Sequence, residues 1–352
     1  MSSQTFLLDG KETAFVPGQM ILEAARAAGT LIPTLCYLKG EAPTGACRVC
    51  LVEVAGARSL VAACSTPVTA GMEVRTDSER VLKTRKLIVE LLLASGTHDC
   101  LVCEKNGDCR LQDLAYACGI QEMKFPPRNA GYPVENANPF IVRDFSRCIL
   151  CGRCVQACNE VVVNRAISFG YRGSASKIVT GGDRPYHESE CVFCGQCVEV
   201  CPVGALTEKK ARWTGRPWET EKIRTTCPYC GVGCQQWLHV KDGRIGKVTA
   251  VEDAEPNQGR LCVKGRFGYD FIYSEERLKT PLIREGEGFR EASWDEALDR
   301  VAAKFKEIIK KDGPDAIVGV SCARSLNEDS YQMQKFFRAV IGTNNIDHCA
   351  RT

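Results

Sequence analysis

The chain has 352 residues, more than one typical domain holds, so several modules are expected. Its 46 Lys and Arg against 43 Asp and Glu leave a net charge of +3, a near balance that does not suggest nucleic acid or an anionic membrane surface as a partner. No apolar run is long enough to span a bilayer, and "MSSQTFLLDG" lacks a basic segment followed by an apolar one, so a cytoplasmic protein is expected.

The 22 cysteines are the anomaly. Disulfide scaffolds are short secreted chains, whereas thiols at two-residue spacing in a reducing compartment read as ligands of zinc or iron–sulfur centres. In chain order, "TFLLDGKETAFV" is a hairpin with an Asp-Gly turn, and "GQMILEAARAAG" is a helix stopped by glycine. "CRVCLVEVAGARSLVAAC" places cysteines around two short strands, giving a first thiol group of Cys36, Cys47, Cys50 and Cys64. Zinc is open for these four in isolation. The unit resembles the β-grasp [2Fe–2S] domain of the plant-type ferredoxin superfamily, in the longer-gap variant of respiratory complex I, iron-only hydrogenases and NAD-linked formate dehydrogenases.

"SERVLKTRKLIVELLLASG" is an amphipathic helix whose apolar residues belong to a core. "THDCLVCEKNGDCRLQDLAYACG" then supplies Cys100, Cys103 and Cys109. They resemble the [4Fe–4S] site with one His ligand in the same families. Most members place that His four residues before the first cysteine. Position 96 here is Gly, so the resemblance passes the role to His98. Cys118 is left over and is expected as a buried small apolar residue.

"CILCGRCVQAC" and "CVFCGQCVEVC" form an internal repeat, 43 positions apart. The first run is Cys148, Cys151, Cys154 and Cys158; the second is Cys191, Cys194, Cys197 and Cys201, followed by Pro202. Asn159 stands where the motif carries proline. This is the bacterial two-cluster ferredoxin signature, in which each fourth cysteine serves the other centre. Cys201 is therefore expected to complete the first centre and Cys158 the second. "EKKARWTGRPWETEKIR" is read as a solvated linker.

"CPYCGVGC" and "GRLCVKGRFG" contribute Cys227, Cys230, Cys234 and Cys262, separated by the hairpin "CQQWLHVKDGRIGKVTAV". They resemble the N-terminal [4Fe–4S] segment of molybdenum or tungsten bis-pterin oxidoreductases, where the motif lysine between cluster and pterin falls on Lys264. "SWDEALDRVAAKFKEIIKKDGP" is a helix with Ser293 as N-cap, "DAIVGVSC" an apolar strand and "NEDSYQMQKFFRAVIG" a helix. One strand is expected from residues 291–352, the beginning of a parallel sheet.

The order of modules resembles the catalytic subunit of NAD(P)-linked formate dehydrogenases over the whole chain. The resemblance implies an α+β multidomain protein: a β-grasp domain (1–79), a cluster segment with one histidine and three cysteine ligands (80–120), a double-cluster ferredoxin domain (138–210), a pterin-enzyme cluster domain (221–280) and an incomplete pterin-binding α/β domain (281–352). It implies one [2Fe–2S] and four [4Fe–4S] centres, with a Mo- or W-bis(pterin guanine dinucleotide) in the full-length protein. Formate and CO2 are the implied substrate and product. A flavin- and NAD-binding subunit, and a small [2Fe–2S] subunit, are the implied partners.

A segment like "TNNIDHCAR" precedes the metal-ligating Cys or selenocysteine in formate dehydrogenases. The expectation is a selenocysteine at the position after Thr352, whose codon was taken as a stop. Competing readings are the large iron–sulfur subunit of a complex I-like enzyme, an iron-only hydrogenase, and a stand-alone electron carrier.

Overall fold

The computed structural model describes residues 4–127 and 131–349. It divides into two compact units, Met1–Glu221 with His239–Lys247, and Lys222–Leu238 with Val248–Thr352. The segment expected to precede a metal ligand ends in residues 350–352, which lie outside the described residues, as does the position after Thr352.

The first unit opens with the expected hairpin. Strands β1 (Gln4–Leu8) and β2 (Lys11–Phe15) pair antiparallel, and Asp9 and Gly10 take φ of 49° and 79°, as a type I′ turn needs. Helix α1 (Ile21–Ala27) buries Ile21, Leu22, Ala24 and Ala25 in one core with Phe6, Leu8 and Val74. Ile21 and Leu22, both completely covered, each contribute about 1.5–3 kcal/mol by leaving water. Strands β3 (Leu51–Val54), β4 (Val61–Ala62) and β5 (Glu73–Arg75) complete a sheet of order β2-β1-β5-β3-β4. The β1–β5 pair is parallel, while β1–β2, β3–β4 and β3–β5 are antiparallel. A helix packed on a mixed sheet of this order is the β-grasp arrangement that the sequence suggests.

Helix α2 (Glu79–Leu93) follows, its first turn capped by Ser78 Oγ, which accepts from the Val81 N–H at 3.4 Å. Helix α3 (Arg110–Ala117) starts at Cys109 and ends at Cys118, which is half-buried rather than the buried filler expected.

The internal repeat is repeated in the backbone. Strand β6 (Ile141–Arg143) precedes helix α4 (Arg153–Gln156), and the antiparallel pair β7 (Ile167–Gly170) and β8 (Lys177–Thr180) precedes helix α5 (Gln196–Val200). Strand β9 (Leu206–Glu208) returns to pair antiparallel with β6. Leu150 and Phe193, at matching positions, have φ of 53° and 52°, and Gly152 and Gly195 have 78° and 74°. Two left-handed residues in three curl each Cys-x-x-Cys-Gly loop tightly enough to point successive thiols at one cavity.

The halves differ at their ends. After α4 the chain winds on through Cys158 as a π-helical turn, Ala157–Val161. After α5 it turns extended at Cys201, with φ −65° and ψ 118°. Pro202 explains the break, since a proline disfavours helix in the residue before it and offers no N–H; Asn159 imposes neither restriction.

Downstream, β10 (Glu221–Thr226), β11 (Gln235–Lys241) and β12 (Arg244–Ala250) form one sheet in that order. Asp242 and Gly243 make its turn with φ of 51° and 73°. Helix α6 (Val263–Phe267) starts at Cys262, and β13 (Leu282–Glu285) pairs antiparallel with β14 (Gly288–Glu291). Helix α7 (Trp294–Asp312) has the expected cap, Ser293 Oγ accepting from the Glu296 N–H at 3.1 Å. Strand β15 (Gly319–Ser321), helix α8 (Asn327–Lys335) and strand β16 (Ile346–His348) close the described chain. The expectation of a single strand is corrected: β15 and β16 are parallel neighbours, in register from Gly319–Ile346 to Ser321–His348. The second strand is short and polar, "IDH", and carries no apolar signal of its own.

Candidate metal centres

None of the described cysteines is in a disulfide. Cys36, Cys47, Cys50 and Cys64 are all buried in the β-grasp domain. The Cys36 sulfur takes hydrogen bonds from the Cys47 and Cys64 thiols, which hold it far below the ordinary thiol range; Cys64 likewise lowers Cys50 to about 7. Hydrogen bonding to Cys36, then burial, pushes Cys47 up. The contacts run as a chain from Cys47 to Cys36 to Cys64 to Cys50. Among the described residues no three Cys, His, Asp or Glu side chains gather as ligands of one ion do.

Arg85 of α2 was not anticipated as part of this site. Its guanidinium is buried and donates to the carbonyls of Val49 at 3.3 Å, Leu51 at 3.4 Å and Thr76 at 3.1 Å, pinning the loop that carries Cys47 and Cys50. Within "SERVLKTRKLIVELLLASG" it is one of several basic residues, and only its place on the apolar face of α2 distinguishes it.

At the second group Cys103 is buried, Cys109 half-buried and Cys100 exposed. The His98 ring hydrogen-bonds the Leu92 backbone, and its Nε2 is buried with no partner. Burial holds the imidazole pKa below its ordinary value, which keeps the ring neutral, the form that ligates metal. A bond to backbone on one nitrogen and a free lone pair on the other is the usual setting of a metal-bound histidine. Position 96 has no room for such a ring. A Cβ there would lie 2.0 Å from the Ser146 carbonyl oxygen.

The stretch read as a solvated linker is largely exposed, with Trp213 and Trp218 both open to solvent, but it also makes contacts with the second thiol group. Arg216 donates to the Leu101 carbonyl at 2.9 Å and to that of Cys103, and Trp218 packs on Gly107, where a Cβ would come within 2.6 Å of its ring. The linker clamps the Cys100–Cys109 loop. Its partners on that loop lie more than a hundred residues away in sequence, so the sequence does not show them.

The double repeat builds two apolar cavities. One is lined by Cys148, Cys151, Cys154 and Cys201; the other by Cys158, Cys191, Cys194 and Cys197. The exchange of fourth cysteines expected from the motif is therefore the grouping found. Burial pushes Cys148 up to about 11 and Cys151 to about 12, and raises Cys154 and Cys197 further. Buried apolar walls favour neutral thiols, so these cysteines would have to give up protons to hold a cationic metal core. Gly204, between Val203 and Ala205 of the first cavity, abuts Cys103: a Cβ there would stand 2.5 Å from its Sγ. The second group and the first cavity thus touch at one glycine. Gln156, between Cys154 and Cys158, donates to the Ala42 carbonyl at 2.6 Å and ties the β-grasp loop to α4.

In the second unit Cys227 is buried, Cys230 and Cys234 are half-buried and Cys262 is exposed. The Cys227 N–H donates to the Cys234 carbonyl at 2.8 Å, closing the loop. Burial raises the Cys234 thiol, as do Cys227, Cys230 and Cys262 nearby. Gly265 of α6 lies against Cys227, where a Cβ would be 3.4 Å from the sulfur. Lys264 is exposed on α6, its Nζ 6.0 Å from the centre of the Tyr229 ring. Among the described residues no helix is long and apolar enough to cross a membrane.

Five families match along the chain. Residues 3–79 match the 2Fe-2S iron-sulfur cluster binding domain, and 85–124 the NADH-ubiquinone oxidoreductase-G iron-sulfur binding region. Residues 138–207 match the ferredoxin-like domain of NADH-quinone oxidoreductase subunit 3, 220–274 the molybdopterin oxidoreductase Fe4S4 domain, and 277–352 molybdopterin oxidoreductase. The alpha subunit of an NADPH-Fe(3+) oxidoreductase from Geobacter sulfurreducens is 40% identical over 344 residues, covering 98% of this chain and 40% of that protein. The G 2 subunit of NADH-quinone oxidoreductase from Rhizobium meliloti is 38% identical over 346 residues, with the same coverage. A Staphylococcus aureus protein whose name offers formate dehydrogenase only as a suggestion is 35% identical over 383 residues, covering 98% of this chain and 39% of that protein. The chain therefore spans about two fifths of the length of the curated relatives it matches. A chain in the crystal structure of an NAD+-reducing [NiFe]-hydrogenase is 39% identical, with a TM-score of 0.57, covering 61% of this chain and 91% of that one. With 2Fe–2S and 4Fe–4S domains ahead of a molybdopterin oxidoreductase stretch, the chain belongs to the NADH-G-like iron–sulfur subunits of the molybdopterin oxidoreductases.

Proposed function

We propose that this chain is the electron-carrying part of a formate dehydrogenase catalytic subunit, with five thiolate-held centres between a pterin-bound Mo or W and a flavin- and NAD-binding partner. The observation that carries the electron-transfer reading is the pair of neighbouring cavities, each lined by three cysteines of one run and the fourth of the other. The orphaned Nε2 of His98 supports a further centre beside Cys100, Cys103 and Cys109. Bound iron–sulfur centres supply one-electron transfer at potentials set by ligands, burial and hydrogen bonds to sulfur. The chain's own residues do the rest. Cys36, Cys47, Cys50 and Cys64 would hold a [2Fe–2S] core. His98, Cys100, Cys103 and Cys109 would hold a [4Fe–4S] core, as would each cavity and the set Cys227, Cys230, Cys234 and Cys262. Lys264 would place its ammonium beside that last core, on the pterin side. The domain limits 1–79, 80–120, 138–210, 221–280 and 281–352 are proposed with the same sets.

The formate reading rests on resemblance of the whole module order and on the Staphylococcus aureus relative. The Geobacter sulfurreducens relative favours a second reading, in which the chain carries electrons from NADPH to another acceptor. Anaerobic isolation of the chain decides the first point: about eighteen iron atoms and as many sulfides per chain are expected from one [2Fe–2S] and four [4Fe–4S] centres, and folded, iron-poor protein refutes it. Dye reduction by the full-length protein, with formate and with NADPH in parallel, decides the second. Formate-dependent reduction supports the dehydrogenase, and NADPH-dependent reduction alone supports the rival.

A further inference from the structure

Tyr186 stands between the two ferredoxin-type cavities and lines both. It is 1% exposed. Its surroundings fix it on every side but one. The backbone N–H donates to Glu135 Oε1 at 2.7 Å, and the carbonyl accepts from Ser189 Oγ at 2.8 Å. The Arg143 guanidinium, itself paired with Glu135 through a 2.8 Å bond from Nε, lies 4.3 Å from the ring centre. The hydroxyl alone has no hydrogen-bond partner. Its charged-state neighbours are the thiols of Cys197, Cys154 and Cys191, which come from both cavities.

A buried hydroxyl without a partner costs about 1–3 kcal/mol. Phenylalanine would fill the same space and keep the stack under Arg143. The hydroxyl therefore needs an acceptor, and the walls of both cavities offer chiefly apolar atoms and cysteine sulfur. We propose that the Tyr186 hydroxyl donates its hydrogen bond to a sulfur of the iron–sulfur centres in these cavities, and thereby sets the potential of the centre it bonds. The inference rests on the reading that the cavities hold such centres. A reduced centre carries one more negative charge than an oxidised one, so a donor at sulfur stabilises the reduced form and raises the potential. Tyr186 is a positioning and tuning residue, not a ligand.

The test is Tyr186→Phe in the 352-residue chain, reconstituted anaerobically, with iron and sulfide assayed before an EPR-monitored redox titration. Iron content should stay at the wild-type level. At least one ferredoxin-type centre should become about tenfold harder to reduce, a fall of about 59 mV for one electron. Retained iron with both potentials unmoved overturns the proposal. Wild-type protein that takes up no iron overturns instead the reading beneath it. If Tyr186→Phe loses iron, the titration is repeated on protein carrying 3-fluorotyrosine. The more acidic phenol should then move a potential upward, and unmoved potentials again overturn the proposal.

Discussion

Two side chains carry more of the proposed sites than their neighbours do. Arg85 ties three carbonyls around the Cys47–Cys50 loop from a buried position, so its removal leaves acceptors that water reaches poorly. Arg85→Met should keep the packing of the stem and lower stability by about 3 kcal/mol, read as a drop in the urea midpoint of the iron-loaded chain. An unchanged midpoint would mean that the loop is held by its thiols alone. His98 makes the second case. Its Nε2 is orphaned, so His98→Ala should remove one [4Fe–4S] centre and take iron from about eighteen to about fourteen atoms per chain. Full iron content in that variant would return His98 to a structural role. The histidine was legible in the sequence through its neighbours, because three cysteines follow within eleven positions. Arg85 was not, because nothing in a helix sequence says which basic residue will turn inward.

Element by element, legibility followed whether the controlling interaction was local. The Asp9-Gly10 and Asp242-Gly243 hairpins, the Ser293 cap and the glycines after the second cysteine of each run depend on backbone conformation within a few residues, and each was readable. Strand β16 depends on β15, 27 residues away in register, and "IDH" gave no hint of it. The linker's grip on the Cys100–Cys109 loop was invisible for the same reason. The crossed grouping of Cys158 and Cys201 is long-range too, but the doubled motif carries it. It yields a test that no single-cavity arrangement passes. Cys201→Ser should abolish the EPR signal of the centre built on Cys148, Cys151 and Cys154, and Cys158→Ser that of the centre built on Cys191, Cys194 and Cys197. Loss of the centre of the mutated run instead would break the assignment.

For the molecule as a whole, the sites of the first unit are joined rather than scattered. Gly204 brings the Cys103 thiol against the first cavity, Tyr186 is shared by the two cavities, and Gln156 reaches the β-grasp loop. A chain built this way would pass electrons between its centres. The iron-loaded 352-residue chain is expected to have its own iron–sulfur absorbance bleached by dithionite but not by formate, and formate-dependent bleaching would contradict that expectation. The unequal ends of the repeat have one more effect. One arm winds past Cys158 while the other is cut short at Cys201 by Pro202, so the twin sockets offer different backbone amides to what they enclose. Chemically identical contents would then rest at unlike voltages, and a duplicated fold becomes a downhill step for an electron.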